Sequence, residues 1–181
     1  FPSLSFNRAF ENLLDTKRRF NPISAFLSVT PHCHYSCWHC SIAKRKSGYL
    51  STQTWLSTIE QLHELGVCII GFTGGEPLTR DDLPKMIGAA QSGGATTILF
   101  TSGEGLTEKL ASALHDTGLW SLCVSLDSTD LEQVNAFRGH SSAYVNAISA
   151  LRLSKKFNFY TMIGSVATRP FIEKKTYNDI Y

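Results

Sequence analysis

The chain has 181 residues, of which 43% are hydrophobic and 18% charged, a composition typical of a globular protein with one sizeable core. Its formal net charge of +2 gives no basic field that would attract nucleic acid or an anionic membrane. No apolar run reaches the ~18 residues of a membrane span, and charged residues interrupt the N-terminal segment where a signal peptide needs an apolar core. We therefore expect a cytoplasmic protein that binds neither nucleic acid nor membrane.

Residues 1–24 predict an N-terminal leader helix. Phe6, Phe10, Leu13 and Leu14 have helical spacing, and Pro22 ends the pattern. We expect the rest, residues 25–181, to form a single domain. Because the chain starts at a phenylalanine and ends in "IEKKTYNDIY", which resembles the opening of a further helix, we expect this domain to be incomplete at its C-terminus.

Five short apolar runs rich in branched and aromatic residues predict buried strands. They cover residues 25–30, 67–73, 95–101, 119–126 and 159–168.

Amphipathic segments of helical length separate these runs. In the first, Trp55, Ile59 and Leu62 share one stripe, Ser51 is placed as an N-cap and Gly66 as a terminator. Further helices are predicted over 106–117, around 144–151 and from about residue 79.

Strand alternating with helix predicts a parallel sheet with right-handed crossovers. A closed eight-stranded barrel needs about 250 residues, so the α/β fold is either a partial (β/α) barrel, truncated after strand five, or an open doubly wound sheet. In both architectures the active site lies at the carboxyl ends of the strands.

A cluster of cysteines follows the first predicted strand, in "TPHCHYSCWHCS". Cys33, Cys37 and Cys40 have the spacing Cys-x-x-x-Cys-x-x-Cys, and three thiolates can hold three irons of an iron–sulfur cluster, leaving one iron open to a ligand. Zinc is an alternative, since three cysteines could be completed by one of the nearby histidines, which are His32, His34 and His39.

The remaining cysteines stand among apolar neighbours. Cys68 and Cys123 lie on the second and fourth predicted strands, where we expect core residues rather than ligands.

A glycine-rich segment, "FTGGEP", ends the second predicted strand on the same rim. Gly74 and Gly75 would allow the backbone to approach a ligand closely, and Glu76 adds a carboxylate able to receive a ligand ammonium.

Together the two motifs resemble those of the radical S-adenosylmethionine (SAM) enzymes. The resemblance continues through "FTSGEGL" (100–106), "VSLDS" (124–128) and "FRG" (137–139), covers roughly residues 24–168 and is greatest to the branch of molybdenum-cofactor, pyrroloquinoline-quinone and peptide-modifying enzymes. Two positions depart from the family pattern. His39 replaces the usual aromatic residue that packs on adenine, with Trp38 one place earlier, and Ser102 replaces a common asparagine.

The resemblance implies a [4Fe-4S] cluster on the three cysteines and S-adenosyl-L-methionine on its fourth iron. It implies that Gly74, Gly75 and Glu76 hold the methionine ammonium. It also implies that Ser125 contacts the methionine carboxylate or the ribose, with Thr101 and Ser102 as weaker candidates. Residues 162–166 would face the adenine.

The implied activity is reductive cleavage of SAM to a 5′-deoxyadenosyl radical that abstracts hydrogen from an unknown small-molecule or peptide substrate. The implied partner is an electron donor such as flavodoxin or ferredoxin, and the implied cluster is oxygen-sensitive. A non-catalytic iron–sulfur or zinc module on the same fold is the alternative. Arg138 and Asp127 each have two alternative roles. Arg138 either pairs with a carboxylate or phosphate at the rim or caps a loop, and Asp127 is either a site residue or a turn residue.

Overall fold

A computed structural model describes residues 10, 11, 14, 15, 22–41, 48 and 50–180. Within the predicted leader helix, the four described residues between 10 and 15 are helical. Phe6 and Leu13, on which that prediction also depends, lie outside the described residues.

Five parallel strands form one sheet, and their order along the sheet is their order along the chain. Their bounds are β1 Ser24–Thr30, β2 Ile69–Gly74, β3 Thr96–Thr101, β4 Ser121–Ser125 and β5 Tyr160–Gly164. The five predicted strands are therefore confirmed. A doubly wound sheet reverses its strand order at a switch point, whereas this order runs on without reversal. The fold is thus an α/β, partial TIM-type barrel.

One or two helices follow each strand within the described part of the chain. They are α1 Thr52–Glu64, α2 Leu83–Ser92, α3 Glu108–Asp116, α4 Leu131–Arg138, α5 Ala143–Lys156, α6 Arg169–Glu173 and α7 Tyr177–Ile180, and a short 3-10 helix spans Pro77–Thr79.

The first helix follows its sequence prediction closely. The Ser51 side chain caps α1 by accepting a hydrogen bond from the Thr54 N–H, and Gly66 follows it with a φ of 80°. A glycine is suited to this left-handed backbone because it carries no Cβ.

Three helix boundaries differ from the predictions. The helix expected from residue 79 begins at Leu83, because Arg80 has an extended backbone after the 3-10 turn. The helix expected from 106 begins at Glu108, where Thr107 provides the cap. The final segment contains two short helices rather than one beginning at 172, since Lys175 adopts a φ of 53° between them.

The two faces of the sheet have different environments. Leu27 and Val29 of β1 are buried in the core, together with Phe72 of β2, whereas Phe26 on the other face is 61% exposed. Cys68 and Cys123 are both buried, as predicted. Among the helices described, none is long and apolar enough to cross a membrane.

Candidate active site

The three cysteines of the motif line one cavity at the carboxyl ends of the strands. This cavity of about 420 Å³ is bounded by the loop after β1, by the end of β2 and by residues at the ends of β3 and β4. Gly74, Gly75, Glu76, Thr101, Ser102 and Ser125 all lie around it with Cys33, Cys37 and Cys40. The structure thus brings the predicted cluster ligands together with these six predicted SAM-binding residues.

Tyr35 anchors the first half of the cysteine loop. Its side chain is buried, its ring stacks on His140 with the ring centroids 4.5 Å apart, and its hydroxyl accepts a hydrogen bond of 3.0 Å from Nδ2 of Asn146 in α5. Tyr35 was not predicted from the sequence. An aromatic side chain between two of the cysteines was the available signal, because a loop that holds a metal centre needs its own packing contacts.

The second half of the loop packs on the last turn of α4. The His39 ring stacks on Phe137 at 4.9 Å between centroids, and Trp38 meets the edge of the same ring at 5.7 Å. Gly139 ends α4 with a φ of 62°, and a Cβ at that position would overlap the Ser36 carbonyl. The "FRG" segment is therefore the surface on which the cysteine loop rests.

Burial disfavours the charged form of the Cys33 and Cys37 thiols. It raises the pKa of Cys33 to about 11 and also raises the pKa of Cys37, although the neighbouring guanidinium of Arg138 opposes the second shift. Thiolates in such a place need a positive charge beside them, which iron ions supply. The donor set, three thiols around one cavity with space for a ligand, fits an iron–sulfur cluster with an open iron.

Histidine, cysteine and acidic side chains of the described residues form no group of three or more arranged to hold a single metal ion. In an iron–sulfur cluster, by contrast, each thiolate binds its own iron atom. The fit of the site is therefore judged from the cavity that the thiols share.

The glycine pair packs against the start of the cysteine loop. The Gly75 N–H donates to the Thr30 carbonyl and the Glu76 N–H to the His32 carbonyl, each at 2.7 Å. A Cβ on either glycine would overlap one of these carbonyl groups. The small size of Gly74 and Gly75 thus lets β2 approach the cysteine loop, while both residues also line the cavity.

Glu76 is buried and its carboxylate is fully engaged. Oε1 accepts hydrogen bonds from the Leu78 N–H and the Thr101 hydroxyl, and Oε2 accepts from the Ser102 N–H and hydroxyl. A carboxylate has about four acceptor positions, and four donors of the same chain occupy them. Burial raises the pKa of Glu76 while these donors act in the opposite direction. The carboxylate joins the ends of β2 and β3, and its contact with a ligand ammonium stays a prediction.

The three candidate hydroxyl groups differ in availability. Those of Thr101 and Ser102 donate to Glu76 at 2.7 and 2.6 Å. Ser125, at the end of β4, lines the same cavity, and its hydroxyl has no hydrogen-bond partner within the described part of the chain. Ser125 is therefore the hydroxyl best placed to bind a ligand.

A second, larger cavity of about 850 Å³ lies beside the first. Trp38, Phe137, Val166 and Phe171 give it an aromatic and apolar lining. Of the strand-five residues predicted to face adenine, Val166 lines this cavity. Trp38, not His39, contributes the aromatic ring of the cysteine loop here, since His39 lines the cysteine cavity.

An ion pair lies between the two cavities. Arg138 lines the cysteine cavity and Asp127 lines the larger one, and the Arg138 Nε donates to Oδ2 of Asp127 at 2.7 Å. The structure places Arg138 in the last turn of α4, not in a loop.

Solved structures share this fold at low sequence identity. The structure of anSMEcpe with bound AdoMet has 20% identity and a TM-score of 0.71 over 86% of this chain and 46% of that one. Streptococcus suis SuiB bound to S-adenosylmethionine has 17% identity and a TM-score of 0.78 over 96% and 41%, and SuiB has also been solved bound to the precursor peptide SuiA. BtrN in complex with AdoMet and 2-DOIA has 22% identity and a TM-score of 0.58 over 78% and 56%.

The chain thus spans about half the length of these proteins. Independently of the structural likeness, the sequence model of the Radical SAM superfamily matches residues 27–180, which is most of the chain and includes both the cysteine loop and the glycine-rich segment. The chain therefore belongs to the radical SAM superfamily.

Proposed function

We propose that this chain is the core of an enzyme that cleaves S-adenosylmethionine reductively at a [4Fe-4S] cluster held by Cys33, Cys37 and Cys40. The observation that carries the proposal is the shared cavity, which three thiols line together with the glycine pair and Ser125. When bound, the cluster would supply the electron that converts SAM to methionine and a 5′-deoxyadenosyl radical. Electron transfer and bond cleavage are thus the chemistry of the cofactors, which the protein binds and orients.

The residues of the chain would bind and orient SAM. The methionine end would lie in the cysteine cavity, with its ammonium held at Gly74, Gly75 and Glu76 and its carboxylate at Ser125. Because the Glu76 carboxylate is occupied by four internal donors, backbone carbonyl groups of the glycine segment are the acceptors best suited to the ammonium. Thr101 and Ser102 would act through Glu76.

The adenosine end would extend toward the larger cavity. Its lining of Trp38, Phe137 and Val166 suits a flat aromatic base, because aromatic rings favour stacked or edge-to-face contacts. Exclusion of water by such walls would protect a reactive radical.

The substrate and the electron donor are proposed at the level of class. The structural neighbours include SuiB bound to a precursor peptide and BtrN bound to 2-DOIA. These support a peptide or small-molecule substrate, in line with the peptide-modifying branch that the motifs resemble. A low-potential donor such as flavodoxin or ferredoxin would reduce the cluster.

Anaerobic reconstitution tests the proposal. The chain should take up about four irons, and with dithionite and SAM it should form 5′-deoxyadenosine, detected by chromatography and mass spectrometry. Cys37→Ala should abolish both results, whereas Cys68→Ala, which removes a buried thiol outside the cavity, should keep them. Stoichiometric zinc in place of iron, or a loaded chain that forms no 5′-deoxyadenosine, would favour the alternative of a non-catalytic metal module.

A further inference from the structure

The buried Asp127–Arg138 ion pair lies between the cysteine cavity and the larger cavity. We infer that Arg138 is a positioning residue that supplies a fixed positive charge beside Cys37 and raises the reduction potential of the cluster, while Asp127 holds the guanidinium in place. This inference rests on the proposed function, because it assigns a role toward the cluster of that site.

The ion pair is fixed from several directions. The side chains of Arg138 and Asp127 are 10% and 8% exposed, and their Nε–Oδ2 distance is 2.7 Å. The other carboxylate oxygen, Oδ1, accepts a hydrogen bond of 2.8 Å from the Val166 N–H. The pair thereby joins the end of α4 to the segments that follow β4 and β5, so the guanidinium has little freedom to move.

The last turn of α4 contacts the cysteine loop. The Cys37 thiol lies 3.4 Å from the Arg138 carbonyl oxygen, and Gly139 packs against the Ser36 carbonyl. Arg138 lines the cysteine cavity together with Cys37. The cation thus lies on the side of the thiols, whereas its carboxylate partner lines the neighbouring cavity.

Stability alone is a weak reason to bury such a pair. The desolvation of two charges offsets most of their attraction, and apolar replacements of buried ion pairs are often neutral or stabilising. Arg80, the other arginine buried in the described part of the chain, pairs with Asp82, whose side chain is 25% exposed, and lines neither cavity. A comparison of the two arginines therefore distinguishes the effect of losing a buried arginine from the effect of losing a positive charge near the thiols.

A fixed charge near a cluster changes its potential. Net charge and hydrogen bonds to the sulfur ligands set the potential of iron–sulfur clusters. A nearby cation stabilises the reduced form, which carries one more negative charge, more than the oxidised form. Removal of the cation should make the cluster harder to reduce, and removal of its anionic partner should make it easier to reduce.

The experiment measures the midpoint potential of the cluster by spectroelectrochemistry in the reconstituted full chain, without SAM. At one fixed applied potential, the ratio of reduced to oxidised cluster should fall roughly tenfold in Arg138→Met. The ratio should rise in Asp127→Asn, and Arg138→Lys should recover most of the loss because it restores the charge. Opposite shifts in two variants that break the same ion pair are not expected from a loss of structure alone.

Arg80→Met is the matched control, since it breaks a buried arginine pair that lines neither cavity, and it should leave the ratio unchanged. If Arg138→Met does not fold, Asp127→Asn and Arg138→Lys still test the sign. Equal ratios in wild type and variants, or shifts of the same sign in Arg138→Met and Asp127→Asn, would overturn the inference while leaving the proposed function intact. A wild-type chain that binds no cluster would instead contradict the proposed function.

Discussion

The carboxylate of Glu76 accepts hydrogen bonds from two segments that are distant in sequence, the turn after β2 and the end of β3. Each of its oxygens has two donors, and the side chain is 1% exposed. A group of this kind contributes to the site by fixing the position of its neighbours. Thr101 and Ser102 depend on it for their side-chain orientation.

We predict that Glu76→Gln destabilises the chain by about 2–3 kcal/mol, because the amide NH2 of glutamine would face a donor and leave buried groups unsatisfied. Urea denaturation of the cluster-free chain measures this loss. Glu108→Gln is the control, since Glu108 forms an exposed ion pair with Lys156 and such pairs contribute at most about 1 kcal/mol. A Glu76→Gln chain as stable as wild type would show that the carboxylate does not brace the site.

The start of α2 shows how charges fix an element boundary. Asp82, at the N-cap of this helix, receives two hydrogen bonds from the guanidinium of Arg80 and one from the Thr52 hydroxyl. The guanidinium also donates to the carbonyl groups of Val29 and Leu50. This network connects β1 to the helices that flank it.

The hydrogen bonds to Asp82 lower its pKa from 3.8 to about 2, and those from the Arg80 guanidinium have the largest effect. Because the folded pKa is the lower one, the stabilisation is fully present above pH 3.8 and is lost as the pH falls toward 2. We predict that wild type loses about 1–2 kcal/mol more stability than Asp82→Asn across this window, after allowance for solvent screening.

Chemical denaturation at a series of pH values measures the difference. Asp81→Asn, a change at the exposed neighbouring position, should keep the wild-type pH dependence. Parallel curves for wild type and Asp82→Asn would contradict the assignment.

The elements that could be predicted from the sequence are those that carry a local signal. Apolar runs predicted the five strands, and Ser51 with Gly66 predicted the ends of α1. Helix α4 has a weak signal, since only Val134 and Arg138 are buried in it, and it was not predicted. Its role as the support of the cysteine loop depends on a contact across about a hundred residues of sequence, which no local pattern reveals.

The candidate site also contains some residues that a local pattern predicts and others whose contacts depend on the tertiary fold. The spacing of Cys33, Cys37 and Cys40 is local and was sufficient to predict the cavity-lining thiols. The partners of Glu76 and the pairing of Arg138 with Asp127 depend on how the strand ends meet. The sequence alone did not decide between a site role and a loop-capping role for Arg138. An ion pair between an arginine on a helix and an aspartate after a strand depends on the tertiary fold.

The sheet has one packed face and one open face that leads to the cysteine cavity. Phe26 lies on the open face, where its ring meets Phe100 at 5.7 Å between centroids, and Phe100 lines the cysteine cavity. Gly71 leaves room for both rings, since a Cβ there would approach each of them. Helices cover the other face, where Phe72 is fully buried.

We predict that two phenylalanines on adjacent strands will respond differently to truncation. Phe72→Ala should cost about 3–5 kcal/mol, because it leaves a cavity in the core. Phe26→Ala should cost less than about 1 kcal/mol, because its ring is 61% exposed and little apolar surface is lost from the interior. Urea denaturation of the cluster-free chain compares the two, and equal losses would mean that the Phe26 face is packed as tightly as the core. Since Phe100 also lines the cysteine cavity, a small cost at Phe26 would identify a surface near this cavity whose side chains contribute little to the stability of the fold.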